Sequence, residues 1–504
     1  MKIFKSSQVR EIDKHTIKNE PITSINLMER AAKTVFERIT SLGHGFPKFC
    51  VVVGPGNNGG DGLVIARLLL ENNYDVDVFV CRFTKSMSQD CSENLKRLKK
   101  LNKDIVHQIS ESTEMIMSDD AIIIDAIFGS GLTRETSGEF AKVINKINNS
   151  GNTVLAVDMP SGLFGEDNTN NNGAIVQANI TYALQFPSIA MMFAENHKFF
   201  GDVVTVPIGL SLDAIKSTQS NYYITDKEFV SANFKKRTRF DHKGNFGHLL
   251  LIAGSYGKAG AAVLTAKAAL KSGAGLITAH LPAKLVDIMQ ISVPEVMISI
   301  DNNEKYCSNI ENIFKYNAVG IGPGLDTKIV SKDLLVSLLK VCKSPVVIDA
   351  DALNVLSGMK FFLKLIKPET ILTPHPKEFE RLFGKFDNSW QKIEFMQKTS
   401  VEKSIVIILK GGITAISLPN GRVFFNTDGN PGMATGGSGD VLTGVIASFL
   451  AQGYSSEMAA ILGVYFHSKA GDFAKQKVGE MALSASDIIN NLSQVFLKFE
   501  MEAK

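Results

Sequence analysis

The residues best suited to chemistry in this 504-residue chain are aspartates that close apolar runs beside glycine clusters. In the first half, Phe49–Val53 runs into Gly54-Pro55-Gly56-Asn57-Asn58-Gly59-Gly60-Asp61-Gly62. Such glycines permit positive φ and close backbone approach, and free N–H groups at a helix start favour a phosphate. The string contains G-x-G-x-x-G, but a dinucleotide site also wants an acid at the far end of the second strand. Here Asp75 and Asp77 stand at that strand's beginning, and its end reads Cys81-Arg82-Phe83. No G-K-[ST] follows, so a P-loop is excluded. The plain alternative is a tight strand–helix turn. Two more strand ends carry the same signature: Asp125-Ala126-Ile127-Phe128-Gly129-Ser130-Gly131 and Asp158-Met159-Pro160-Ser161-Gly162. A lone aspartate after a strand is often a helix cap. Three such ends in one half converge on the side of a parallel sheet where ligands sit.

The second half repeats the theme. Gly436-Gly437-Ser438-Gly439-Asp440 opens the apolar run Val441–Leu450. Amides at that helix start can hold a transferring phosphoryl group, and an adjacent aspartate can take a proton from a substrate hydroxyl. The bland reading of Asp440 is an N-cap. Lys410-Gly411-Gly412 ends a strand and suits a nucleotide phosphate or ribose, or is an ordinary turn. Asp349-Ala350-Asp351 can position substrate or a hydrated Mg²⁺, or cap a turn. Thr373-Pro374-His375-Pro376-Lys377-Glu378 fixes a histidine between two prolines; His375 need not be a base.

Elements of the right kind surround these motifs. Phe49–Val53, Asp75–Val80, Ala121–Ile124 and Thr153–Val157 read as strands, separated by helices at Gly62–Glu71, Glu93–Leu101 and Glu139–Asn148. The rhythm restarts after residue 240, with strands at Leu249–Ala253, Gly275–His280, Ala318–Ile321, Val346–Ile348, Thr370–Leu372 and Ile405–Leu409. Helices are expected at Gly260–Lys271, Lys332–Cys342, Lys377–Leu382 and Asp440–Gln452. This β-α-β alternation predicts an α/β protein with parallel sheets covered on both faces. The polar, partly basic stretch Ser211–Asp241 reads as the connection. The boundary is expected near residue 220, giving domains over 1–220 and 221–504.

Composition sets the outer limits. With 44% hydrophobic and 21% charged residues the chain is globular, and a net charge of +3 makes nucleic acid or an anionic membrane an unexpected partner. The charge is split, −3 over residues 1–220 and +6 beyond, with Lys235, Lys236, Arg237, Arg239 and Lys243 clustered. Cys50, Cys81, Cys91, Cys307 and Cys342 are odd in number and irregular in spacing, which argues against disulfides or zinc and for small buried hydrophobes. No signal-peptide core and no long apolar span occur, so a cytosolic, cytoplasmic protein is expected.

At this point the motifs resemble known families. G-x-G-N-N-G-G-D-G, then D-A-x-F-G-x-G-L and D-x-P-S-G, is similar to the NAD(P)H-hydrate epimerase domain, from Ile25-Asn26-Leu27-Met28-Glu29-Arg30-Ala31 to about Gly209. The resemblance implies a Rossmann-like three-layer α/β/α sandwich. It places the damaged nicotinamide nucleotide on Asn57, Asn58, Gly59, Gly60 and Asp61, on Gly129, Ser130, Gly131, Leu132, Thr133, Arg134 and Glu135, and on Asp158. It also implies K⁺ on Asn58, Asp125 and Ser161, with Asp125 as acid/base. The chain departs from the family at Pro187-Ser188, where Pro-Lys is usual, and at Pro207-Ile208-Gly209, where Asp-Ile-Gly is usual.

His242-Lys243-Gly244, Gly254-Ser255, D-A-D-A-L-N, T-P-H-P-x-E and K-G-G resemble the ribokinase-like fold. With Gly429-Asn430-Pro431-Gly432-Met433-Ala434-Thr435 leading into Gly436-Gly437-Ser438-Gly439-Asp440, the match is closest to the ADP-dependent NAD(P)H-hydrate dehydratase domain, over about residues 225–495. That resemblance implies nucleotide contacts on Lys410, Gly411, Gly412, Ile413 and Thr414 and on the Gly429–Gly439 segment. Hydrate contacts would fall on Ala262, Gly324, His375, Pro376, Lys377, Glu378, Phe379, Glu380, Arg381 and Asp440, with Asp440 as base. Both halves together imply repair of NADH and NADPH hydrates: epimerisation of the R and S forms, then dehydration of the S form with ADP and Mg²⁺. The family's domains commonly associate, so a homo-oligomer is expected. The competing reading is a ribokinase-like small-molecule kinase fused to a non-catalytic nucleotide-binding module.

Overall fold

The computed structural model describes residues 1–41 and 48–502. Residues 42–47 and 503–504, inside the two expected domains, lie outside the described residues. The chain divides into two compact units, one of Lys2–Ser220 with Asn388–Trp390, the other of Met1, Asn221–Asp387 and Gln391 onward.

The first unit is built on a seven-stranded sheet. Its order runs Val106–Ile109, Val76–Cys81, Phe49–Val53, Ile122–Ala126, Val154–Val157, Ile180–Leu184, Asp202–Val206, and every pair is parallel. Phe49–Val53 and Val154–Val157 are buried at every position, as strands covered on both faces must be. The chain leaves Phe49–Val53 in one direction and returns to Ile122–Ala126 on its other side. The strand order therefore reverses between these two strands, and a crevice opens at their carboxyl ends.

The helix after the first glycine loop starts at Asn57, not at Gly62 as the sequence suggested. Asn57–Asp61 are thus its first turns, and the anion-facing end moves closer to the strand. Packing outweighs the low helix propensity of glycine here. A Cβ on Gly59 would lie 2.0 Å from Gly54 O, so only glycine lets this turn close on the strand end.

In the second unit the order is Tyr222–Ile224, Val423–Asn426, Thr414–Ser417, Val406–Leu409, Ile371–Leu372, Val346–Ile348, Ala318–Ile321, His248–Ile252, Leu276–Pro282, Met297–Asp301. Pairing is parallel from Met297–Asp301 through Val406–Leu409, then turns antiparallel at Thr414–Ser417 and Val423–Asn426. The reversal point lies between His248–Ile252 and Ala318–Ile321. The helix Ser438–Ala451 is buried along its whole length from Val441, which fits a sequence apolar on all sides. It packs on Ala259–Lys271 through Gly444, where a Cβ would stand 2.2 Å from Thr265 O.

The stretch expected as a connection is more structured than its polarity suggested. It carries helices Leu212–Ser217 and Lys227–Asn233 and the strand Tyr222–Ile224, whose Tyr223 stacks on Phe424 at 4.8 Å. Its basic residues also find a purpose. Lys235 Nζ donates to Gly453 O (2.8 Å), and Arg237 Nη2 donates to Gly273 O. Both carbonyls lie just past helix C-termini, where a cation is favoured. The five cysteines are free and buried. Among the described residues no helix is long and apolar enough to cross a membrane.

Candidate active sites

In the first unit, three of the sequence motifs meet at the reversal point. Gly54 N donates to Ala126 O (3.1 Å), which joins the first glycine loop to the end of the neighbouring strand. A cavity of about 420 Å³ opens there, lined by Asn57, Asn58, Asp61, Gly129–Leu132 and Asp158 among the expected residues. Arg10 and Asp13, from the helix Ser6–Asn19, line it as well and were not singled out from the sequence. Arg10 Nη2 donates to Gly131 O (2.8 Å), fixing that helix over the loop. Thr133, Arg134 and Glu135 are exposed and outside the lining, and Glu135 instead accepts from Asn172 N (2.9 Å).

The acids of this site divide into two kinds. Asp125 is 0% exposed and outside the cavity lining. Its oxygens accept from Ser161 N (2.7 Å), Ser161 Oγ (2.6 Å) and Ile127 N (3.2 Å). Burial raises its pKa to about 6, with those hydrogen bonds working in the other direction. Asp158 has φ +66°, a left-handed backbone, and Oδ2 accepts from Ser130 N (2.7 Å). Burial pushes it up, as it pushes Asp13 to about 6 and Asp61 well above the ordinary range; in the last two the neighbouring Asp158 adds to the effect. Asn58 is 8% exposed, and neither its amide oxygen nor its amide nitrogen has a partner among the described residues. Leaving such a group empty in a protein interior costs about 1–3 kcal/mol, so it points to a ligand. Ser161 Oγ and Phe128 O, 3.1 Å apart, add hard oxygen donors beside Asp125. Ser188, the departure from the family pattern, donates through Oγ to Gly165 O and lies outside the lining.

In the second unit, Asp349, 1% exposed, accepts from Lys410 Nζ (2.8 Å) through Oδ1 and from Thr443 Oγ1 (2.6 Å) through Oδ2. A side chain on Gly439 would stand 3.4 Å from Lys410 Nζ, so the start of the Ser438–Ala451 helix faces this pair. Asp440 lies in that first turn. Burial raises it to about 6, Asp349 adds to the rise and Lys410 opposes it. Asp351 accepts from Lys258 Nζ (3.0 Å) and Asp326 N (2.9 Å). The two acids expected to hold substrate or Mg²⁺ are thus already engaged within the protein.

His375 caps the helix Pro376–Phe383. Its Nδ1 accepts from Lys377 N (3.1 Å) and Glu378 N (3.4 Å), while Glu378 Oε2 accepts from His375 N (2.9 Å). Burial and the nearby Lys410 hold its pKa below the ordinary value, consistent with an accepting Nδ1. Phe379 breaks the expected run of hydrate contacts. It is 0% exposed within a cluster of Phe383, Phe386 and Phe395, because position 379 faces the core side of its helix. Pro376, Lys377 and Glu380 share that helix, and Arg381 Nη1 donates to Asn354 Oδ1 (2.7 Å).

Gly429, at φ +107°, and Asn430 are held by Asp472, which accepts from Gly429 N and Asn430 Nδ2, each at 3.1 Å. His467 Nε2 lies 3.0 Å from Ser438 O and its pKa is lowered to about 4 by burial. Neither Asp472 nor His467 carries a motif, and only the packing of the Ser456–Val478 helix reveals them. Across the site, Ser255 Oγ donates to Gly324 O (2.8 Å), and the Cβ of Ala262 lies 3.1 Å from where a Gly254 Cβ would be. Thr414 Oγ1 donates to Gly411 O (3.3 Å). A larger cavity, about 1150 Å³, lies elsewhere in this unit, and none of the expected site residues lines it.

Two family models match the chain. A family model described as YjeF-related protein N-terminus matches residues 24–190, and one described as NAD(P)H-hydrate dehydratase matches residues 249–494. The chain is 34% identical to a bifunctional NAD(P)H-hydrate repair enzyme of Moorella thermoacetica, over 100% of this chain and 98% of that one. It is 32% identical to one of Coxiella burnetii, over 97% and 98%. Among solved structures, the second unit is similar to an ADP/ATP-dependent NAD(P)H-hydrate dehydratase from Bacillus subtilis co-crystallised with ATP and Mg²⁺. That match has 30% identity and a TM-score of 0.50, over 56% of this chain and 100% of that one. A ribokinase-like superfamily protein from Enterococcus faecalis matches at 27% identity and a TM-score of 0.50, over 56% and 98%.

Proposed function

The chain belongs to the family of bifunctional NAD(P)H-hydrate repair enzymes, and on that premise we propose how its two sites divide the work. Residues 1–220 form the epimerase domain and residues 221–504 the ADP-dependent dehydratase domain. The observation that carries this reading is the coincidence of motif and topology. In the first unit the glycine-rich strand ends meet where the strand order reverses; in the second, the strand ends carrying Asp349 and Lys410 meet Thr443 of the Ser438–Ala451 helix.

In the first unit the 420 Å³ cavity takes the hydrated nicotinamide nucleotide. The amino-terminal turns of the Asn57–Glu71 helix offer amides to its phosphates. Water at C6 is lost and returned there; Asp125, to which the family resemblance gives the acid/base role, is buried beneath the wall and acts on the ligand through groups that line it. The residues present fit a potassium ion. Asn58 Oδ1 is unpartnered, and Asp125, Ser161 Oγ and Phe128 O gather nearby as hard, oxygen-only donors. A bound K⁺ would neutralise charge on this cluster and orient its oxygens.

In the second unit Asp440 takes the proton of the C6 hydroxyl of the S epimer. The amides of Gly436, Gly437, Ser438 and Gly439 hold the phosphoryl group as it leaves ADP. The phosphorylated hydroxyl is a far better leaving group than hydroxide; the ring nitrogen expels it as phosphate, and loss of a C5 proton to solvent then forms the C5=C6 bond, giving NAD(P)H, AMP and phosphate. Lys410 stands beside the helix start as the cation for nucleotide phosphate. The engaged state of Asp349 and Asp351 fits an Mg²⁺ carried mainly by the nucleotide's own phosphates, as this ion prefers.

We further propose a cytoplasmic homo-oligomer acting on small molecules. The test is recovery of nicotinamide absorbance from a racemic hydrate mixture, with ADP and ATP compared. Complete repair, faster than spontaneous epimerisation permits, is the expected outcome. Recovery of only half assigns the first unit no epimerase activity, and no recovery with ADP or ATP removes the dehydratase assignment.

A further inference from the structure

Any proton exchanged with a ligand in the first cavity must pass through a group that reaches its surface. Asp125 does not line it, and its carboxylate already accepts three hydrogen bonds from the chain. The acids on the wall are Asp13, Asp61 and Asp158. Asp158 comes from a strand end and is fixed by Ser130 N; Asp13 comes from the Ser6–Asn19 helix and accepts no hydrogen bond from the described residues. The two enter from different elements and lie close enough for the charge of one to act on the other. The unpartnered Asn58 amide, 8% exposed on the same wall, independently marks this cavity as a ligand site. Asp13 lies outside the 24–190 span of the matched family model.

We infer that Asp13 is the second proton-carrying carboxyl of the epimerase cavity, exchanging acid and base roles with Asp158 as C6 inverts. This rests on placing epimerisation in this cavity. In one direction the protonated carboxyl gives its proton to the C6 hydroxyl. The C6–O bond breaks with its electron pair leaving on water, and the N1 lone pair forms a C6=N1 bond. Water then adds to the opposite ring face through an oxygen lone pair. The C=N π pair returns to N1, and the excess proton on the added water passes to the other carboxylate. One proton has crossed from one carboxyl to the other, and reverse turnover or solvent returns it. Two inverse steps on opposite faces need two such groups, and two nearby acids hold one proton between them more readily than they lose both. The other charged groups facing Asp13 are Asp61, which is itself pushed up, and Arg10 on its own helix.

The test uses the full chain without ADP, with purified R-hydrate and chromatographic separation of the epimers. For Asp13→Asn the expected result is a fall in kcat of about 100-fold, with KM within about threefold and the acid limb of the rate profile gone. Asp13→Glu should recover part of the rate with a displaced limb. Dehydration of S-hydrate with ADP, measured on the same preparations, reports folding. If Asp13→Asn loses both activities, Asp13→Glu decides: a displaced limb supports the proposal and a wild-type profile overturns it. Asp13→Asn within threefold of wild type, while wild type epimerises, overturns the proposal alone. A wild-type chain no faster than the spontaneous reaction overturns the cavity assignment and the proposal with it.

Discussion

Asp440 and Asp349 lie near each other, yet their surroundings differ. Asp349 is locked between Lys410 and Thr443, while Asp440 sits half-buried in a helix first turn, where burial raises its pKa to about 6. A base must be ionised to work, so dehydratase kcat/KM should fall as pH drops through about 6. The measurement is a pH profile with S-hydrate and ADP. Asp440→Asn should lower turnover by about 10²–10⁴-fold while ADP still binds by calorimetry; full retained turnover would remove Asp440 as the base. Lys410→Met should act differently. It strands the charge of Asp349, which is 1% exposed, and should cost about 3 kcal/mol in denaturant unfolding, the low end for a buried pair because the Lys410 side chain keeps one-fifth of its exposure. Asp440 was legible in the sequence because G-G-S-G-D is contiguous. The Asp349–Lys410–Thr443 set was not, since its members come from three separate elements and no spacing announces them.

At the level of elements, glycines set how closely backbones approach. Gly444 lets the Ser438–Ala451 helix touch the Ala259–Lys271 helix, and an added methyl would meet Thr265 O at 2.2 Å. Gly444→Ala should therefore destabilise the protein by about 1–3 kcal/mol, read as a lower Tm. A matching Ala at Gly436, where a Cβ meets nothing within 4 Å, should leave Tm nearly unchanged and so isolate the packing effect. Most parallel strands were readable from β-branched runs, because their burial on both faces leaves an unbroken apolar signal. The antiparallel pair Thr414–Ser417 and Val423–Asn426 escaped, being short and interrupted by turn residues. The helix after the first glycine loop was read from Gly62 because Asn57–Asp61 have poor helix propensity. Close contact with the strand end, a tertiary effect, makes them helical.

At the scale of the molecule, the two units carry separate hydrophobic cores. The similar dehydratase from Bacillus subtilis is covered over 100% of its length by just 56% of this chain. A fragment starting at Asn221 should accordingly fold and dehydrate S-hydrate within about tenfold of the full-length rate while leaving R-hydrate untouched; an unfolded fragment by circular dichroism would contradict this. The sequence alone determined the α/β class, the two motif series and the family. Each rests on residues adjacent in the chain, whose glycines and aspartates have few substitutes at a tight strand end. Only the tertiary structure decided which carboxylates line the cavity. It buried Asp125 beneath Ser161, brought Asp13 from the Ser6–Asn19 helix to the cavity that Asp158 also lines, and paired Asp349 with Lys410. The physical reason is that burial and charge proximity depend on strand order and helix packing. These fix distances between residues far apart in the chain, and local composition carries no record of them.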